Sequence, residues 1–240
     1  MAMGLLERRD KAEVDPIDSV IKYYQDEQTH FLLEQFLAQV KTFFELNPSL
    51  HTQPFPTIHS IKFRLKDPSH LRDKLERKAK KGINVVPETL FKEVTDLVGV
   101  RILHLYQDQF TDIHSEITKK VMSGDWAFGE PPKAYTWDPE TKSFFDQLGI
   151  TTEVKDSYYT SVHYLVKPNN NSDLCCEIQV RTLFEEIWGE IDHAINYPHQ
   201  TDSIACREQL RVLSKLVSTG TRLSDSIFRS YNEHLGKITK

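Results

Sequence analysis

Nine consecutive residues, Leu97-Val98-Gly99-Val100-Arg101-Ile102-Leu103-His104-Leu105, form a nearly continuous apolar run. A strand of that composition must be covered on both faces, so the chain has to supply packing layers on either side of a sheet. The flanking segments have the periodicities to do so. From Asp15 to Leu46, apolar residues from Ile17 to Phe44 recur at helical spacing behind an Asp15-Pro16 start signal, which predicts one long amphipathic helix. After Pro54 and Pro56 the period changes to two, and Ile58 to Lys66 reads as a strand.

Asp67-Pro68-Ser69 opens a basic helix that runs to about Lys81 and ends at Gly82. Short and medium helices are expected at Pro87–Thr95 and Phe110–Met122. The stretch from Gly124 to Asp138, rich in Gly, Pro and Trp, reads as a long excursion, with Trp126 and Trp137 as packing residues. Strands are expected at Thr151–Lys155, Thr160–Lys167 and Leu174–Thr182, the last two joined by the turn Pro168 to Asp173. Helices then occupy Leu183 to Tyr197, stopped by Pro198, and Ser203 to about Tyr231. The fold class is α/β (α+β): a mixed sheet of about five strands between long N- and C-terminal helices.

The net charge of −5 argues against a protein that coats nucleic acid with its whole surface. Positive charge is concentrated instead. Nine basic residues lie between Lys62 and Lys81, against Asp67, Asp73 and Glu76. On its own such a run is a solvated helix face; following a strand with cations on one side, it becomes a candidate anion site. Cys175, Cys176 and Cys206 form neither a disulfide framework nor a metal-ligand spacing, which fits reduced cytoplasmic thiols. No apolar run approaches membrane-spanning length, and the charged start, Met1 to Asp10, lacks the apolar stretch of a signal peptide.

Side chains alternate across a strand, so three segments each divide into a core face and a polar face. Lys62, Arg64 and Lys66 share one side of the first strand. Tyr159, Ser161 and His163 project together from another, opposite Val162, Tyr164 and Val166. Glu177, Gln179 and Arg181 share a face opposite Cys176, Ile178 and Val180. Any one strand of this kind is an ordinary half-solvated strand. Together the three faces supply cations for phosphate, planar groups for a purine, and a carboxylate that, with Asp96, can serve Mg²⁺. No Walker A loop, dinucleotide-binding glycine fingerprint, nucleophile elbow or zinc-ligand spacing is present.

Four ordered motifs, R-L-K-D-P-S-H-L-R-D-K at Arg64–Lys74, D-L-V-G-V-R at Asp96–Arg101, Y-Y-T-S-V-H at Tyr158–His163 and E-I-Q-V-R-T at Glu177–Thr182, resemble RelA/SpoT-type (p)ppGpp synthetase domains over about Phe55 to Tyr197. The resemblance implies a nucleotidyltransferase-like sheet and an organisation into an N-terminal helical region (1–54), a synthetase core (55–198) and a C-terminal helical extension (199–240). It implies a Mg²⁺-dependent transfer of pyrophosphate from ATP to the 3′-hydroxyl of GTP or GDP, without hydrolase activity. Arg64 and Arg101 would sandwich adenine, Lys66 and Lys74 would hold the ATP phosphates, and Asp96 and Glu177 would bind the metal. Glu177 would also help deprotonate the acceptor, Tyr159 would stack on guanine, and Lys155 and His163 would contact the acceptor phosphates, with Ser161, Gln179 and Arg181 supporting them.

Two positions depart from the family pattern: Tyr158 stands where a glycine is common, and His70 where a serine is usual. An RNA acceptor, the 3′ end of tRNA, and a catalytically inactive nucleotide-binding domain are the alternatives. The terminal helices are also candidates for self-association.

Overall fold

The computed structural model describes residues 15–53, 55–197 and 199–238. Met1 to Asp10, Pro54, Pro198 and Lys240, all used in the sequence reading, lie outside the described residues. A six-stranded mixed sheet organises the chain, in the order β1-β2-β6-β5-β3-β4. Its strands are β1 (Ser60–Leu65), β2 (Val98–His104), β3 (Ala127–Thr136), β4 (Thr151–Val154), β5 (Ser161–Lys167) and β6 (Cys176–Thr182). β2, the apolar run, pairs antiparallel with β1 and parallel with β6, while β5 and β6 form the expected hairpin.

The Gly124–Asp138 segment is not an excursion: it holds β3, which pairs antiparallel with β5 and parallel with β4. Pro131 and Pro132 are tolerated because the β3/β5 register shifts on either side of Glu130 and because β4 pairs only with Lys133 to Thr136. The long N-terminal helix is two helices, α1 (Pro16–Tyr24) and α2 (Glu27–Leu46). Asp26 separates them by capping α2, its carboxylate accepting from the amides of Gln28 and Thr29.

The remaining helices are α3 (Pro68–Lys80), α4 (Leu90–Glu93), α5 (Phe110–Met122), α6 (Pro139–Gln147), α7 (Leu183–Asn196) and α8 (Ile204–Ile238). α6 was not foreseen; α8 outruns its expected end. The core lies on one side of the sheet. Val100, Ile102, Val162, Tyr164, Val166, Ile178 and Val180 are buried there with Leu33, Phe36, Val40 and Phe44 of α2 and Ile113 and Ile117 of α5. Trp126 belongs to this layer, with its ring 4.9 Å from that of Phe43.

α7 crosses the opposite face, contacting β2 and β6 and packing against α8. Thr182 and Glu185 form its capping box, so the chain turns directly from β6 into α7 and carries α7 back over the sheet. That placement leaves an open polar trough beside it.

Candidate active site

Strand register puts the expected site residues in rows across the polar face. Lys62 of β1 lies opposite Arg101 of β2, Arg101 opposite Gln179 of β6, and Gln179 opposite His163 of β5. One row over, Arg64 lies opposite Gly99 and Gly99 opposite Glu177. The Arg64 side chain passes across Gly99, its Cγ standing 3.6 Å from where a Cβ would lie, an ordinary contact distance. Arg64, Arg101, Glu177 and Gln179 line one hollow in the sheet surface. It adjoins a cleft of about 610 Å³ walled by Arg64, Lys66, Arg101, Tyr159 and Arg181 on one side and by α7 on the other. A volume of that order suits nucleotide-sized ligands.

At one end, Asp96 accepts from Nζ of both Lys66 (2.9 Å) and Lys74 (2.8 Å). Lys66 is 8 % exposed, so this is a largely buried triad with one charge of excess. Burial pushes the Asp96 pKa up, but the two ammonium groups outweigh it and hold it below the ordinary aspartate range.

In the centre, Glu177 lies 3.2 Å from Nδ1 of His163 and accepts from the Gln179 amide at 2.9 Å. Burial again raises its pKa, yet His163 and Gln179 win and lower it; Asp96 acts the other way, so the two carboxylates sense each other's charge. Nε2 of His163 is 2.9 Å from the Tyr159 hydroxyl. The two ring nitrogens thus bridge the Glu177 carboxylate and the Tyr159 hydroxyl. The Arg181 guanidinium lies 5.8 Å from the Tyr159 ring.

The supporting residues divide. Ser161 is buried and donates to the carbonyl of Val180, so it ties β5 to β6 beneath Tyr159. Lys155 stands at the far margin: it pairs with Glu153 and sits 4.7 Å from the Tyr135 ring, which is edge-on to His163 at 4.9 Å. His70, the first departure, meets Tyr197 edge-on at the cleft rim.

Tyr158, the second departure, is the one described non-glycine residue with positive φ, at 63°. That backbone shape explains why glycine suits the position. Here the side chain is instead held edge-on to Trp137, 5.4 Å between ring centroids.

One group missing from the sequence reading is Glu186. It is 5 % exposed and lies 2.7 Å from Nζ of Lys62, 2.9 Å from Nη1 of Arg101 and 2.7 Å from Nη2 of Arg181. The contact with Arg181 is at ion-pair distance without hydrogen-bond alignment, leaving Glu186 Oε2 and Arg181 Nε without hydrogen-bond partners. Gly189 makes room for that guanidinium: a Cβ there would fall 2.7 Å from Arg181 Nη1. Glu190, one turn beyond Glu186, also reaches Nη1 of Arg101, at 2.8 Å. The available signal was two acids four residues apart on the helix that follows E-I-Q-V-R-T.

Two carboxylates are too few for an all-protein metal cage, and no group of three or more His, Cys, Asp or Glu side chains suited to a metal occurs among the described residues. By donor type, the carboxylate oxygens of Asp96 and Glu177 are of the kind a hard cation takes alongside phosphate and water, and both oxygens of Asp96 are held here by Lys66 and Lys74.

Residues 63–202 match the family model described as "Region found in RelA / SpoT proteins". No curated protein matches the chain. Similar solved structures include small alarmone synthetase 1 from Bacillus subtilis, 18% identical with a TM-score of 0.61, covering 85% of this chain and 94% of that one. The same protein bound to its product pppGpp is 19% identical, with a TM-score of 0.63, covering 86% of this chain and 100% of that one. A GTP pyrophosphokinase family protein from Streptococcus pneumoniae is 18% identical with a TM-score of 0.61, covering 91% and 93%.

Proposed function

This chain belongs to the RelA/SpoT family, and on that premise we propose that it is a (p)ppGpp synthetase, transferring the β,γ-pyrophosphate of ATP to the 3′-hydroxyl of GTP or GDP with release of AMP. The observation that carries the reading is the clustering of Arg64, Arg101 and Glu177 on one polar sheet face with Lys66, whose ammonium joins Asp96 and Lys74 beside it. Small alarmone synthetase 1 from Bacillus subtilis, which shares the fold, is known bound to pppGpp.

The guanidinium planes of Arg64 and Arg101 take the adenine, and Lys66 and Lys74 take the phosphates. Tyr159 stacks on the acceptor guanine, with His163 and Lys155 towards its phosphates. Asp96 and Glu177, together with phosphate oxygens, would hold Mg²⁺, which would supply charge neutralisation. Glu177, ionised at neutral pH, accepts the proton of the 3′-hydroxyl. The ribose oxygen forms a bond to the β-phosphorus while the bond from that phosphorus to the α,β-bridging oxygen breaks, and AMP leaves with that oxygen. Holding the two nucleotides in line and neutralising the triphosphate account for most of the acceleration.

We assign the synthetase core to 55–198 with helical regions at 1–54 and 199–240, and place the enzyme in the cytoplasm with its substrates. No helix among the described residues is long and apolar enough to cross a membrane. Val212, Leu216, Leu223 and Ile227 of α8 are each more than half exposed, and we assign self-association to this helix.

Chromatography of products after incubation with labelled ATP, MgCl₂ and either GTP, GDP or deacylated tRNA tests the function. Label is expected on the guanosine nucleotides. Label on tRNA alone would replace this acceptor with an RNA end, and no transfer at all would leave a binding domain.

A further inference from the structure

Arg64 and Arg101 are assigned the same task, yet their surroundings differ. Arg64 is exposed, and no hydrogen bond or ion pair holds it among the described residues. Arg101 is held at a single atom, Nη1, by Oε1 of Glu186 at 2.9 Å and Oε1 of Glu190 at 2.8 Å. Burial works against its charge, but the two carboxylates outweigh it and raise its pKa. Without them Arg101 would face Lys62 directly across the β1/β2 pair, a like-charge opposition that drives side chains apart. Oε1 of Glu186 bridges the two, lying 2.7 Å from Lys62.

We infer that Glu186 and Glu190 are positioning residues that hold the Arg101 guanidinium by one edge and leave its faces for the adenine of the donor. A guanidinium is planar, and its hydrogen-bonding edge and stacking faces are separate resources, so fixing the edge costs no stacking surface. The orienting is done before the nucleotide arrives, which removes an ordering cost from binding. Arg64, exposed and without such carboxylates, supplies the other side. The inference rests on the proposed role of Arg101 in ATP binding and adds to it the residues that make Arg101 competent.

The test uses the full chain and two probes, α,β-methylene ATP and inorganic tripolyphosphate, titrated calorimetrically; only the first carries a base. Glu190→Gln alters a surface position, since Glu190 is 56 % exposed. It should lower the affinity ratio of the analogue to tripolyphosphate about fivefold, the size of one weakened cation–π contact, with melting temperature unchanged. Glu186→Gln should lower the ratio at least as far, together with the melting temperature. Loss of a negative charge alone strengthens both ligands equally, so a ratio that stays constant or rises overturns the inference. Arg101→Ala separates the two readings: if it leaves analogue affinity unaltered, the adenine site itself is misassigned; if it weakens the analogue while Glu190→Gln leaves the ratio intact, only the positioning role falls.

Discussion

Nδ1 of His163 lies 3.2 Å from the Glu177 carboxylate, so the group proposed to receive the substrate proton is oriented by a ring that Tyr159 orients in turn. Glu177→Gln keeps the shape and the Gln179 neighbour but removes the charge that accepts a proton. Turnover should fall by about 10²- to 10⁴-fold, the usual contribution of a general base, while α,β-methylene ATP still binds. Steady-state kinetics alongside calorimetry checks this, and unchanged turnover would remove Glu177 from the chemistry.

Asp96 has a structural as well as a chemical role, because Lys66 and Lys74 both depend on it. Asp96→Asn leaves Lys66 buried beside a neutral amide. A loss of about 3 kcal/mol is expected from uncovering a buried charge, visible as a lower melting temperature, together with loss of activity. The Asp96 pKa is lower in the folded than in the unfolded chain. Its stabilisation is therefore complete above the unfolded value and disappears as pH falls through the folded one. The variant should accordingly differ least from the parent in strong acid.

Tyr158 tests backbone strain at the acceptor turn. A left-handed conformation costs an ordinary residue about 1 kcal/mol more than glycine. Tyr158→Gly loses the Trp137 contact but relaxes φ, whereas Tyr158→Ala loses the contact and keeps the strain. Denaturant unfolding should therefore rank the glycine variant above the alanine variant by about 1 kcal/mol. The reverse order would mean that this turn is not strained.

Two groups away from the reaction, the buried His104 and the half-buried Glu185, oppose each other in pH. Burial pushes His104 down to about 4, so its stabilisation is present above its unfolded value of 6.5 and is lost as pH falls from there towards 4. Burial pushes Glu185 up to about 7, so its cost is full above 7 and is relieved as pH falls towards its unfolded 4.5. In the parent the two trends partly offset each other between these limits. Glu185→Gln should be more stable than the parent at pH 8 and should lose stability steadily on acidification below pH 6.5. A variant profile that parallels the parent would contradict the Glu185 assignment.

The sheet was readable wherever local periodicity matched local burial. β2 declared itself by its apolar run, and β5 and β6 by alternation, which also placed His163, Glu177 and Gln179 on the polar face. β3 was hidden because its prolines are accommodated by register shifts, and bulges erase a period of two. The break between α1 and α2 was hidden because the apolar stripe runs through it and only the side chain of Asp26 marks the restart. Glu186 was out of reach for a different reason. Its importance comes from α7 folding back over β1, β2 and β6, a juxtaposition of residues up to 124 apart in the chain.

The most direct measurement follows ATP labelled at the β-phosphorus through a single incubation with GTP and MgCl₂. AMP should appear in equal amount to a guanosine product carrying the label on its ribose 3′-oxygen. Release of ADP in place of AMP, or AMP release with no label on the guanosine nucleotide, would contradict the proposed transfer.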